Sequence, residues 1–365
     1  MNELEFLEKL LSIPSPSGGE DIFAEYLVAQ MRKLGFVTHR DEAGNVVGAV
    51  GNPDAERHIV LLGHMDTVSG FIPVRWEGNK LYGRGAVDAK GPLAAFVLAT
   101  AQVAAHGAVT LANARITVIG AVEEESRGWG SQYLAQTMPA PTCAIIGEPS
   151  AWDCITLGYK GMLVMEYSLV QPGGHSAGEF AGPAEHAVKF WNSVRRYAGA
   201  YNQAAFMQGK RGRFNSLDPA LRGLRTYSDG LNDYVEMEIV ARLPPGFDPD
   251  DLQEKMDVWA NAASLTEGAK LAFRGSDPAY RSEKNIPPVR ALLRAIRAEG
   301  GKPTFKLKTG TSDMNTVGPV WECPMVAYGP GDSSLDHTPH EHIEIGEFRK
   351  GIAVLAQALE ILAES

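Results

Sequence analysis

Five short clusters of acids and histidines carry the chemistry available to this chain. The first is Gly63-His64-Met65-Asp66, directly after an apolar run. His64 and Asp66 stand two apart and share a face in an extended segment. An aspartate so placed can hold the far nitrogen of a metal-bound imidazole and fix its tautomer. The second is Gly83-Arg84-Gly85-Ala86-Val87-Asp88-Ala89-Lys90-Gly91, a tight glycine turn leading to an aspartate. It lacks the Gly-Lys-Ser/Thr of a phosphate loop and the third glycine of a dinucleotide fingerprint. The third is Val122-Glu123-Glu124-Glu125-Ser126. Three adjacent carboxylates at the end of a buried strand repel and lose solvation, and a cation makes that tolerable. Gly147-Glu148-Pro149-Ser150 closes a fourth apolar run, and Asp336-His337-Thr338-Pro339-His340-Glu341-His342 precedes the last helical segment. Each cluster alone also reads as a solvated surface loop. Five of them at five element ends are hard to assign to chance.

Those ends belong to a recognisable series of elements. Residues 3–12 and 20–34 have helical periodicity, and Ser17 with Glu20 predicts a capping box for the second helix. Val46–Val50, His58–Leu62, Ile116–Val122 and Cys143–Ile146 are short, apolar and β-branched, as buried strands are. Residues 91–105 form an Ala- and Leu-rich helix with Pro92 near its start. This alternation predicts an α/β fold, a mostly parallel sheet sandwiched by helices, with sites at its strand ends.

The texture changes after about residue 157. Leu163–Val170 and Tyr234–Arg242 partly alternate polar with apolar residues, and residues 183–199 and 249–264 read as helices. The α/β pattern then returns with a helix at 288–298, a strand at 324–328 and a long helix at 345–363. The expected organisation is a discontinuous α/β domain, 1–156 and 270–365, with an inserted α+β domain at 157–269.

The chain has 365 residues, 44% apolar and 21% charged, as ordinary globular proteins do. A formal net charge of −10 argues against nucleic-acid or membrane-surface binding, both of which need a basic footprint. Cys143, Cys154 and Cys323 form no zinc-knuckle or redox spacing, and an odd count argues against a disulfide framework. The first residues lack a basic start and an apolar run, and no stretch is long enough to span a bilayer, so cytoplasm is the expectation.

Taken together, Gly-His-x-Asp, Gly-Arg-Gly-x-x-Asp-x-Lys-Gly, the Glu-Glu pair, Gly-Glu-Pro-Ser and His-Thr-Pro-x-Glu resemble the dizinc aminoacylase and carboxypeptidase family. That family includes acetylornithine deacetylase and succinyl-diaminopimelate desuccinylase, and the resemblance covers essentially the whole chain. It implies a zinc-exopeptidase-like fold with a lid and dimerisation domain. It also implies that His64 and Glu148 hold one metal, His337 and Glu125 the other, and Asp88 both. Asp66 orients His64, and Glu124 acts as base and acid. Glu124 takes that role because Gly130-Ser131 then falls at the family's usual distance after Glu125. Glu123 departs from the Asp-Glu-Glu often found in the family. The family pattern further implies a cis peptide at Asp88–Ala89 and a homodimer. In that dimer His175, of Gly173-Gly174-His175-Ser176-Ala177, helps hold the oxyanion of the partner's site.

The chemistry fits on its own terms. Two divalent ions about 3.5–4 Å apart activate water and polarise an amide carbonyl. Mixed His and carboxylate donors suit zinc, with cobalt or manganese as substitutes. The resemblance extends to Arg242, which matches a lid strand, and to Thr311 and Ser312, in a Gly-Thr-Ser-Asp loop; it implies that they meet a substrate carboxylate, against a surface ion pair and a plain turn as the alternatives.

Details of residues 309–315, 328–333 and 335–339 look most like the branch that hydrolyses carrier-protein-linked lysine, and in some cases ornithine. Lys210, Arg211, Arg213, Arg222 and Arg225, against one acid, Asp218, could dock a small acidic carrier. They could equally be a solvated face. The alternatives are an N-acetyl-lysine or N-acetylornithine deacetylase, a succinyl-diaminopimelate desuccinylase, an exopeptidase, or a catalytically silent metal-binding scaffold.

Overall fold

The computed structural model describes residues 2–106, 110–175, 181–263 and 268–364. The chain forms two compact units: Met1–Gly158 with Arg281–Leu307 and Ser312–Ser365, and Tyr159–Tyr280 with Lys308–Thr311.

The first unit is built on a nine-stranded sheet. At its centre Ala114–Ala121, Arg57–His64, Cys143–Ile146 and Met325–Ala327 run parallel, in that spatial order. Val46–Gly51 pairs antiparallel with Ala114–Ala121, and Cys154–Tyr159 antiparallel with Met325–Ala327. Parallel strands are buried on both faces, which is why these read as unbroken apolar runs. Helix Lys90–His106 is apolar nearly all round, and Leu93 to Val97 are fully buried. Such a helix must be covered on every side, and Ile345–Glu364 packs on it. Pro287–Ala298 buries only one stripe, Val289, Leu292 and Ile296 among it, and begins with two prolines. Leu61, on the central strand, has no exposed surface. Leu61→Ala is expected to destabilise this unit by about 2–5 kcal/mol, read from the shift of its urea unfolding midpoint.

The second unit is a four-stranded antiparallel sheet, ordered Asp218–Ser228, Asn232–Leu243, Gly161–Pro172, Lys270–Asp277. Helices Pro183–Met207 and Pro249–Ala263 pack against it over Leu163, Met165, Phe190, Val194, Met237 and Met256.

Two expectations need correction. The boundary placed at 269/270 falls at 280/281, because Lys270–Asp277 pairs with Gly161–Pro172. That strand is half exposed and carries too few apolar residues to announce itself. The capping box of Ser17 and Glu20 does not form: the helix starts at Asp21, and Glu20 makes no side-chain cap bond. Both side chains are drawn instead to the loops of the acidic clusters.

Candidate metal centre

The parallel strands of the first unit share one direction, so their C-terminal ends gather the clusters. His64 ends its strand, Glu123–Glu125 follow Ala121, and Glu148 follows Ile146. Asp88 stands two residues before helix Lys90–His106. Its turn depends on glycine. Gly85 has φ +86°, and a Cβ on Gly91 would lie 2.2 Å from the Ala86 carbonyl oxygen. The Asp88–Ala89 peptide is cis.

Asp88 presents its two carboxylate oxygens to two different histidines. Oδ1 lies 3.2 Å from His64 Nε2, and Oδ2 lies 3.0 Å from His337 Nε2. Glu125 Oε1 is 2.9 Å from the same His337 nitrogen, and Glu124 Oε2 is 4.0 Å from His64 Nε2. Among the described residues, ligand atoms converge in two groups, His64 with Glu124 and Glu125, and Asp88 with Glu125 and His337. Glu148 belongs to neither, yet it is buried and its charge bears on Glu124.

The acid loop is held mostly by its backbone. Asp66 accepts from the N–H groups of Glu124 and Glu125, each at 3.0 Å, and from Ser17 Oγ at 2.6 Å. Glu20 accepts from the Glu123 N–H at 3.0 Å. Asn45 takes the Val122 N–H at 3.0 Å and donates to the Gly130 carbonyl at 3.1 Å. Glu123 and His337 both adopt left-handed backbone, φ 56° and 60°, a conformation that costs energy and concentrates at functional sites. Asp66 also lies 3.4 Å from His64 Nδ1, while that nitrogen meets the Asp66 carbonyl at 3.0 Å. Asp66 thus touches His64 through its carboxylate and its carbonyl and anchors the loop of Glu124.

Four carboxylates around two imidazoles leave an excess of negative charge, which shifts the groups in opposite ways. Burial opposes a charge on His64, but hydrogen bonds to Asp66 and Asp88 outweigh it and raise its pKa well above the usual range. Hydrogen bonds to Asp88 and Glu125 push His337 up to about 10. Burial raises Glu124 well above an ordinary carboxylate, reinforced by the charges of Glu148, Asp313 and Glu125. This excess of negative charge beside both imidazoles is what a divalent cation would neutralise, and the donor set fits two such ions.

The other sequence candidates are placed as follows. Arg242 Nη1 donates to Thr311 Oγ1 at 3.2 Å within the second unit. Ser312 caps helix Asp313–Trp321, its hydroxyl accepting from Met314 N at 3.3 Å. His175 is exposed beyond strand Gly161–Pro172, and Ser176 and Ala177 of its motif lie outside the described residues. The sequence reading assigned no role to Ser17, Glu20, Asn45, Arg84 or Glu341 at this centre. Glu341 did stand inside a quoted motif. Asn45 had no signal beyond a glycine-flanked turn.

A family model, Peptidase family M20/M25/M40, matches residues 60–361. The chain belongs to this family. Over 356 residues it is 42% identical to a Deinococcus radiodurans protein named LysW-lysine hydrolase, covering 97% of this chain and 95% of that protein. A Pyrococcus furiosus relative, provisionally named a LysW-lysine/LysW-ornithine hydrolase, is 37% identical over 98% of this chain and 96% of its own. The fold is that of an M20 family metallo-carboxypeptidase from Sulfolobus solfataricus, with TM-score 0.79, 20% identity and full coverage of both chains. Dinuclear metal dependence is typical of the M20 family, and two ligand groups that share Glu125, with Asp88 of one group 3.2 Å from His64 of the other, accord with it.

Proposed function

We propose that this M20 hydrolase releases lysine, or ornithine, from the terminal glutamate of a small acidic amino-group carrier protein. The observation that carries the chemistry is Asp88, whose two oxygens face His64 and His337 separately. The relatives' names supply the substrate class. Zinc is the proposed metal, with cobalt able to replace it. His64, Glu148, Asp88, Glu125 and His337 would hold the two ions. Bound there, they supply Lewis-acid polarisation of the amide carbonyl and acidify water. Glu124 takes the proton of the attacking water and delivers it to the leaving nitrogen as the C–N bond breaks. Asp66 keeps His64 in one tautomer. His175 donates to the oxyanion in the site of a partner subunit of a homodimer, and Arg242, Thr311 and Ser312 receive the substrate carboxylate. The proposed setting is the cytoplasm; among the described residues no helix is long and apolar enough to cross a membrane.

The second unit offers a surface for an acidic carrier. Lys210, Arg211 and Arg213 are exposed between helix Pro183–Met207 and strand Asp218–Ser228, and Arg222 and Arg225 are exposed on that strand. Fully buried Lys160 fixes the segment, its Nζ donating to the Arg213 carbonyl at 3.0 Å and to Asp218 Oδ2 at 2.6 Å. Reversing Lys210, Arg211 and Arg213 to glutamate is expected to lower kcat/KM for the carrier-linked substrate about tenfold or more at low salt. The same variant should leave N-acetyl-lysine hydrolysis unchanged. Equal losses on both substrates would contradict a docking role.

The reading is tested by amino-acid release from lysine-loaded carrier beside N-acetyl-lysine, N-acetylornithine and succinyl-diaminopimelate, with zinc or cobalt present. Fast release from the carrier alone is expected. Preference for a small acylated amino acid would overturn the carrier assignment while keeping the metal chemistry.

A further inference from the structure

We infer that Glu341, clasped to Arg84, is a positioning residue for Asp88 and through it for the pair of ions, an inference that rests on the two-metal reading above. Glu341 has no exposed surface. Its Oε1 accepts from the N–H groups of Val87 at 3.0 Å and Asp88 at 3.2 Å. Its Oε2 receives Arg84 Nη1 at 2.8 Å. Its backbone carbonyl accepts from the Gly83 N–H at 3.3 Å. Both side-chain oxygens are therefore engaged by donors, and neither ligand group includes Glu341. It acts on the centre through Asp88 without touching an ion.

Arg84 extends the clasp. Its Nε donates to the Gly70 carbonyl at 3.1 Å and its Nη1 to the Thr338 carbonyl at 3.3 Å. One buried ion pair thus joins three segments: 83–88 with Asp88, 337–342 with His337, and 64–70, which opens with His64. Asp88 can meet both imidazoles only if these segments keep their mutual distances. The N–H that Glu341 grips belongs to Asp88 itself, so loosening it swings the carboxylate directly. A buried acid with a charge partner and backbone donors is stable in place, whereas one stripped of its partner is costly. That makes the pair a fixed strut.

The test is a cobalt(II) titration followed by visible absorption, on wild type, Glu341→Gln and Arg84→Lys. Glutamine keeps the shape and one acceptor but loses the charge that holds Arg84. Lysine keeps a cation against Glu341 but loses the fork to Gly70 and Thr338. Wild type should bind two equivalents. Glu341→Gln should bind cobalt about 10–100-fold more weakly, with an altered spectrum, and Arg84→Lys should shift both in the same direction. A merely structural role would lower the melting temperature and leave affinity and spectrum unchanged, and that result overturns the inference. If Glu341→Gln fails to fold, an unchanged titration of Arg84→Lys overturns it alone. Wild type that binds no cobalt would overturn the two-metal reading as well.

Discussion

Glu124→Gln is expected to lower kcat on the carrier-linked substrate by about 10²–10⁴-fold while two metal ions stay bound per chain. The substitution keeps the size of the side chain and removes its capacity to take a proton. Its backbone N–H stays on Asp66, so the loop should hold its course. The geometry makes this a discriminating test, because Glu124 Oε2 lies 4.0 Å from His64 Nε2 and Glu125 stands beside it. If Glu124 were a ligand and another acid the base, the variant would lose metal and recover activity in excess zinc. Metal analysis beside steady-state kinetics separates the two.

Asp88→Asn is expected to be more damaging still. An amide offers one weak ligand oxygen where the carboxylate offers two charged ones, and each of those faces a different imidazole. Both sites should lose affinity together. The expected loss in kcat/KM is at least about 10³-fold, roughly 4 kcal/mol of barrier, at zinc concentrations that saturate wild type. The variant should also lose metal-linked stability. Zinc at about 100 times its Kd stabilises a one-site protein by about 2.7 kcal/mol. Wild type should therefore melt a few degrees higher with zinc than with chelator, and Asp88→Asn should show no such difference. Retention of both ions would show that Asp88 does not join them.

Much of this centre was legible because three of the five clusters, at His64, Glu123–Glu125 and Glu148, follow buried parallel strands, which read as unbroken apolar runs. Cys143–Ile146 appears with the same limits in sequence and structure. The strands missed were those without that contrast. Asp218–Ser228 is exposed along nearly its whole length, and its two arginines, Arg222 and Arg225, with Asp218 look like a solvated face until the strand is paired with Asn232–Leu243. Ser17 and Glu20 misled for a different reason. Their spacing satisfies a local capping rule, but the N–H of Glu123 and the carboxylate of Asp66 offer long-range partners inside a buried site. A local motif lost to a tertiary one. Glu341 shows the same limit, since its partners lie more than 250 residues away in the chain. Lys90 is similar: it is buried, donates to the Ile13 carbonyl at 2.7 Å, and burial lowers its pKa to about 7. In the sequence it is only one letter of a motif.

The most direct measurement is anomalous diffraction at the zinc edge from crystals of the zinc-loaded protein. Two peaks about 3.5–4 Å apart are expected, with the Asp88 carboxylate between them. His64 should lie on one and His337 on the other. A single peak, or two ions that share a ligand other than Asp88, would contradict it.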